Sequence, residues 1–229
     1  MSFQARFHRI QQKIMPKQVA QVSLRTWIFT ILISVVVYGY NAFTQSANMQ
    51  TTRLMNHTLA DVSILLIGLS FALSGICYFW NFADTLIIYR KDLGLNGFYL
   101  ALTHTIMVLI RRPVTSFLEP ERIGPFMAAV LSLIIFTVMA SVSNRYAITA
   151  LGGVGWRRIL RFGYVGYVFG LIHLGMLNVD RWIAWVLTTP TTMSDVFAPM
   201  SFMVFTFGCM VLGLRIVLQM DLRKKEAKK

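Results

Sequence analysis

The sequence predicts an all-α integral membrane protein: a six-transmembrane-helix bundle with both termini cytoplasmic. Three observations predict it. The 229 residues are 56% hydrophobic and only 14% charged. Six uncharged runs approach the roughly 20 residues needed to cross about 30 Å of hydrocarbon. The Lys and Arg residues, which make the net charge +13, flank those runs instead of forming one basic surface. That is the positive-inside pattern of membrane topology, and it argues against nucleic acid as a partner and for membrane lipid.

Three regions follow in order. Residues 1–23 form a basic amphipathic segment, with Phe3, Phe7, Ile10 and Ile14 spaced along one helical face and Arg6, Arg9, Lys13 and Lys17 on the others. Such a helix suits an anionic membrane surface; a frayed basic tail is the alternative, and Pro16 is expected to end or kink the helix. The segment does not read as a cleavable signal, because the first apolar run begins late and lacks a small-residue cleavage site. Residues 24–220 form the membrane domain. Its expected spans are 24–44, with Trp27 and Tyr40 as interfacial anchors, then 59–82, 94–111, 124–144, 159–178 and 198–219. Thr58 and Asp61 resemble a capping box opening the second span, and Gly124-Pro125 is expected to open the fourth. Residues 221–229 form a basic, solvated tail.

Charge sets the orientation. On one side fall Arg6, Arg9, Lys13, Lys17, Arg25, Arg90, Lys91, Arg145, Arg157, Arg158, Arg161, Arg223, Lys224, Lys225, Lys228 and Lys229; on the other, Arg53, Arg111, Arg112, Arg122 and Arg181. The richer side is expected to be cytoplasmic. Cys77 and Cys209 lie far apart in apolar spans, which predicts neither a disulfide nor a cysteine metal site. The glycine-rich stretch 150–155 has neither the preceding strand nor the spacing of a dinucleotide fingerprint. Asp61 and Asp84 are placed near span ends, which leaves no carboxylate pathway through the core. There is no hydrolase triad.

His8 and His57 are expected in solvent. His104 and His173 differ, because each lies within an apolar span. An ionisable group at that depth is costly and marks a functional site by default. His104 is 11 residues past Leu93 and His173 is 12 past Arg161. At about 1.5 Å per residue both lie roughly 17 Å from the cytoplasmic edge. Both helices run outward, so the imidazoles share one level, the arrangement by which bundles hold a haem iron axially. Gly163, Gly166, Gly170 and His173 form one stripe, and Gly97, Ala101 and His104 another. Such stripes leave space for a flat ring; close helix packing is the alternative. Arg111 continues the His104 face, where a haem propionate would need a cation; an ordinary interfacial arginine is the alternative.

Two motifs carry a resemblance. Arg90-Lys91-Asp92-Leu93-Gly94-Leu95 with Phe98 and His104 resembles R-R-x-L-G-L…F…H, and Trp156-Arg157-Arg158 with Arg161, Tyr164 and His173 resembles W-x-x-L-H-R-x-x-Y…H. Over roughly residues 58–180 the chain is similar to the ferric reductase-like transmembrane domain family. That family includes the haem subunit of the bacterial periplasmic methionine sulfoxide reductase system, the single-haem STEAP metalloreductases and the NADPH oxidases. The resemblance implies a six-helix haem-binding bundle with His104 and His173 as axial ligands of a b-type haem. It also implies a location in the bacterial inner membrane. Leu160 stands where two-haem members carry a further histidine, so one haem is expected.

The expected function is electron carriage from a flavin or quinol on the cytoplasmic side to an outer acceptor, within a redox system that includes partner proteins. It would be an oxidoreductase subunit with no nucleotide domain of its own. A haem-containing structural or assembly subunit and a haem-free transporter or scaffold are the alternatives. Arg157, Arg158 and Arg161 form a cationic shelf for a flavin or, more simply, for phospholipid headgroups.

Overall fold

The computed structural model describes residues 16–44 and 50–227. Six long helices dominate: α1 (Pro16–Thr44), α2 (Thr51–Phe79), α3 (Arg90–Arg111), α4 (Pro120–Ser141), α5 (Arg145–Leu187) and α6 (Met200–Glu226). A 3-10 segment, Asn81–Tyr89, leads into α3, and another, Val114–Phe117, precedes α4. One helical turn, Met193–Val196, precedes α6. Among the described residues there is no strand. Six helices are long and apolar enough to cross a membrane, which makes this a multi-pass architecture in contact with lipid.

The helices run up and down. At the face where α6 ends (the terminal face), Tyr78 of α2 donates to Asp221 at 2.6 Å, and Lys225 donates to Tyr78 at 2.9 Å. At the opposite, far face, Tyr40 of α1 donates to the Ala198 carbonyl at 2.7 Å. The centre is α2, which packs on α1, α3, α5 and α6. Over its most apolar window 56% of α2 is buried, against 17–28% for the others. The main core joins Ile67 and Phe71 of α2 to Phe98, Phe136, Tyr167 and Val211 from four other helices. The outer face of α1 exposes Ile31, Leu32, Val35 and Val36, as expected where the solvent is hydrocarbon rather than water.

Three aliphatic hydroxyls inside α1 are satisfied locally. Thr26, Thr30 and Ser34 each donate to the carbonyl four residues earlier, at 2.8, 2.9 and 2.7 Å. Such back-bonding suits a span with no water to meet the hydroxyl. Asn96 of α3 then donates to Thr30 at 3.0 Å.

Several expected limits move. The second helix starts at Thr51, two turns before Thr58. Thr58 and Asp61 therefore cap nothing, because their backbone amides already lie inside the ladder. Both side chains are buried, and the Asn41 amide donates to Asp61 at 3.0 Å. Asp61 is thus an interior carboxylate at the α1–α2 contact, not a span-end group. The capping box lies instead at Thr192 and Asp195. The fourth helix starts at Pro120, which needs no amide donor at N1, and takes Pro125 inside. The fifth extends to Leu187, and the sixth carries the basic tail as helix to Glu226. Of the amphipathic segment, residues 1–15 lie outside the described residues, as do Lys228 and Lys229 at the other end.

Gly152 breaks α5 into two helices, with φ 66° and ψ 157°. Only glycine adopts this conformation without strain. The long piece after it is tied back to the end of α4 by Trp156, whose indole donates to the Val142 carbonyl at 3.0 Å.

Candidate functional site

α2 and α3 form one antiparallel hairpin, α4 and α5 a second, and these two pairs make the most extensive helix–helix contacts in the molecule. Each contributes one histidine, held in the same way. His104 Nδ1 lies 3.1 Å from the Asn56 carbonyl, and His173 Nδ1 lies 2.8 Å from the Pro125 carbonyl. Both partners are 48 residues upstream of their histidine. Asn56 is the sixth residue of α2 and Pro125 the sixth of α4. The hairpins are equivalent in this respect, and the rings sit at corresponding levels, about 8 Å in from where α2 and α4 begin.

A carbonyl only accepts, so Nδ1 carries the proton and each Nε2 keeps its lone pair. Among the described residues neither Nε2 has a hydrogen-bond partner, and both rings are partly exposed. The rings are near enough to interact electrostatically with each other. Yet α3 and α5 themselves make almost no direct contact. Tightly packed helices stand 8–10 Å apart; these two stand off, with their histidines towards a common region. Asn56 Oδ1, on the residue that holds His104, is buried with no donor among the described residues.

The glycine stripes serve the hairpins. A methyl group at Gly97 would meet Ile67 Cγ1 at 2.7 Å and the Ser63 carbonyl at 2.9 Å. At Gly163 it would strike Met139 and Phe71, at Gly166 Ile135 and Phe136, and at Gly170 Ser132. Ser132 also donates to the Gly166 carbonyl at 2.9 Å. These glycines let α3 close on α2 and α5 on α4, which is the packing alternative of the sequence stripes. Ala101 is partly buried, and its carbonyl accepts from Thr105 at 2.9 Å.

Towards the far face, Arg111 is exposed and donates to Gln50 at 3.3 Å. It does not stand alone. His57, expected in solvent, is partly buried and within electrostatic reach of Arg53, Arg111 and Arg181. It also interacts with His104. Arg181 reaches Asp61 as well. The far end of the histidine region is therefore a cationic basin assembled from α2, α3 and α5. The sequence contained its members but no local signal that they meet.

Tyr167 is buried at the bundle centre, where its hydroxyl approaches the Ile64 carbonyl. Tyr164 stacks on Phe71 with centroids 4.4 Å apart. Phe162 and Tyr99 are exposed. Of the cationic shelf, Arg158 and Arg161 are exposed, and the Arg157 side chain lies outside the described residues.

No family model and no curated protein matches the chain. Fold and site together define a six-span helical protein with two histidines tethered in the same way and within electrostatic reach of each other. Among the described residues no group of three or more His, Cys, Asp or Glu is placed to hold a metal ion.

Proposed function

We propose that the protein is a membrane-embedded b-type haem protein, a subunit of a redox system, in which His104 and His173 are the axial ligands of one haem. One observation carries this reading: the paired tethers from Nδ1 to helix carbonyls. They fix each imidazole in the tautomer that presents Nε2 to a metal, the outer-shell arrangement typical of ligating histidines. The stand-off of α3 from α5 suits a group seated between the rings. The basin of Arg53, Arg111 and Arg181 suits the carboxylates of such a group.

When bound, a bis-histidine haem supplies a one-electron carrier with no open coordination position. The chain's own residues do the rest. Asn56 and Pro125 orient the rings, and Gly97, Gly163, Gly166 and Gly170 keep each hairpin closed behind its histidine. In this reading the terminal face is cytoplasmic and the membrane is the bacterial inner membrane. Electrons enter from a quinol or from a flavin held by a partner protein, and leave to an outer acceptor.

The glycine packing favours a second reading, a haem-free six-helix transporter or scaffold in which the histidines are polar helix contacts. A reduced-minus-oxidised spectrum of the purified protein separates the two. A low-spin b-type spectrum is expected, abolished by His104→Ala and by His173→Ala. A folded wild-type protein without a haem band refutes the proposal. If haem is present, reduction by a quinol or by a flavin reductase distinguishes a carrier from a structural haem subunit.

A further inference from the structure

Near the terminal face, a groove of about 470 Å³ runs between α5 and α6. Its walls are Val168, Leu212, Ile216 and Met220, with Tyr164 and Arg215 among the polar residues. Every lining residue belongs to α5 or α6, so the groove lies on the outside of the bundle, towards lipid. Arg215 is half-buried, with its guanidinium 4.7 Å above the Tyr164 ring. Phe71 also stacks on that ring, with centroids 4.4 Å apart. Arg90, from the start of α3, is within electrostatic reach of both Tyr164 and Arg215.

The positive charge of Arg90 adds to that of Arg215, which lines the groove itself, and an anion at Arg215 is favoured by both. The ion pairs among the described residues are Arg122–Glu119 and Lys225–Asp221, and neither serves Arg90 or Arg215. Gln219 and Arg223 follow Arg215 at successive turns along the same groove. Arg215 lies 15 residues beyond Met200, about 22 Å along a helix crossing about 30 Å of hydrocarbon. An arginine there extends its head towards the leaflet's phosphate level.

We propose that this groove binds an anionic phospholipid, with the phosphate at Arg215 and an acyl chain along Leu212 and Ile216. The apolar walls, the sideways opening and the depth of the guanidiniums select a lipid over a soluble phosphate compound. The proposal does not rest on the haem reading.

Native mass spectrometry of the full chain in detergent tests it, with phosphatidylglycerol or phosphatidylcholine added. One phosphatidylglycerol is expected to be retained in preference to phosphatidylcholine. Arg215→Leu should weaken that retention about fivefold, the effect of one guanidinium at a lipid surface. Ile216→Trp, which fills the groove and leaves every charge in place, should weaken it as well, and it decides the matter if the arginine variant does not fold. Arg122→Leu, at the far face, should change nothing. Equal retention of the two lipids overturns the proposal. So does phosphatidylglycerol retention unchanged in Ile216→Trp, or competition by inorganic phosphate at millimolar concentration.

Discussion

Gly97→Ala tests whether the hairpin holding His104 depends on backbone contact. The added methyl would lie 2.7 Å from Ile67 Cγ1, 2.9 Å from the Ser63 carbonyl and 3.1 Å from the Ile67 amide nitrogen. Two of these three neighbours are backbone atoms of α2, the most buried helix, and cannot swing aside. The hairpin must therefore part by several tenths of an ångström. Overpacking of this kind costs about 1–3 kcal/mol. The higher helix propensity of alanine returns up to about 1 kcal/mol. The net expectation is a loss of roughly 1–2 kcal/mol, or about five- to thirtyfold in the folding equilibrium. Gly39 and Gly213 are the internal controls, because nothing lies within 4 Å of a methyl at either position. Alanine there should leave stability unchanged or raise it slightly. Thermal unfolding of the purified variants in one detergent measures the difference. If Gly97→Ala is as stable as Gly39→Ala, then α3 is not seated on α2 as described and the tether from His104 to Asn56 loses its support.

Two further outcomes are expected. Gly152→Ala forces a side chain into a conformation that costs about 1–3 kcal/mol, and limited proteolysis should show faster cleavage around residues 145–157 than in wild type. Asp61→Ala removes the 3.0 Å bond from the buried Asn41 amide, a loss of about 1 kcal/mol; Asp61→Asn, which keeps an oxygen for Asn41, should unfold at a temperature between those of the alanine variant and wild type.

Much of the architecture was legible in the sequence, because a helix that crosses hydrocarbon must be apolar along its whole length, and that is a local property. The span count, the flanking charges and the two intramembrane histidines all follow from runs of neighbouring residues. Helix limits were legible only in part. Thr58 and Asp61 match a capping pattern, but a cap needs free backbone amides, and two turns of α2 already precede them. The glycine stripes were visible, with two readings open; only the identity of the facing atoms decides between space and packing.

What the sequence determined by itself is a six-span helical chain with His104 and His173 at depths costly enough to need a purpose. The tertiary structure decided what holds those histidines. The Asn56 and Pro125 carbonyls, the basin around His57 and the seat of Arg215 over Tyr164 all join residues far apart in the chain. A backbone carbonyl is present at every position and a surface arginine is common. Neither has a signature until folding brings it beside the group it orients, and that juxtaposition is long-range.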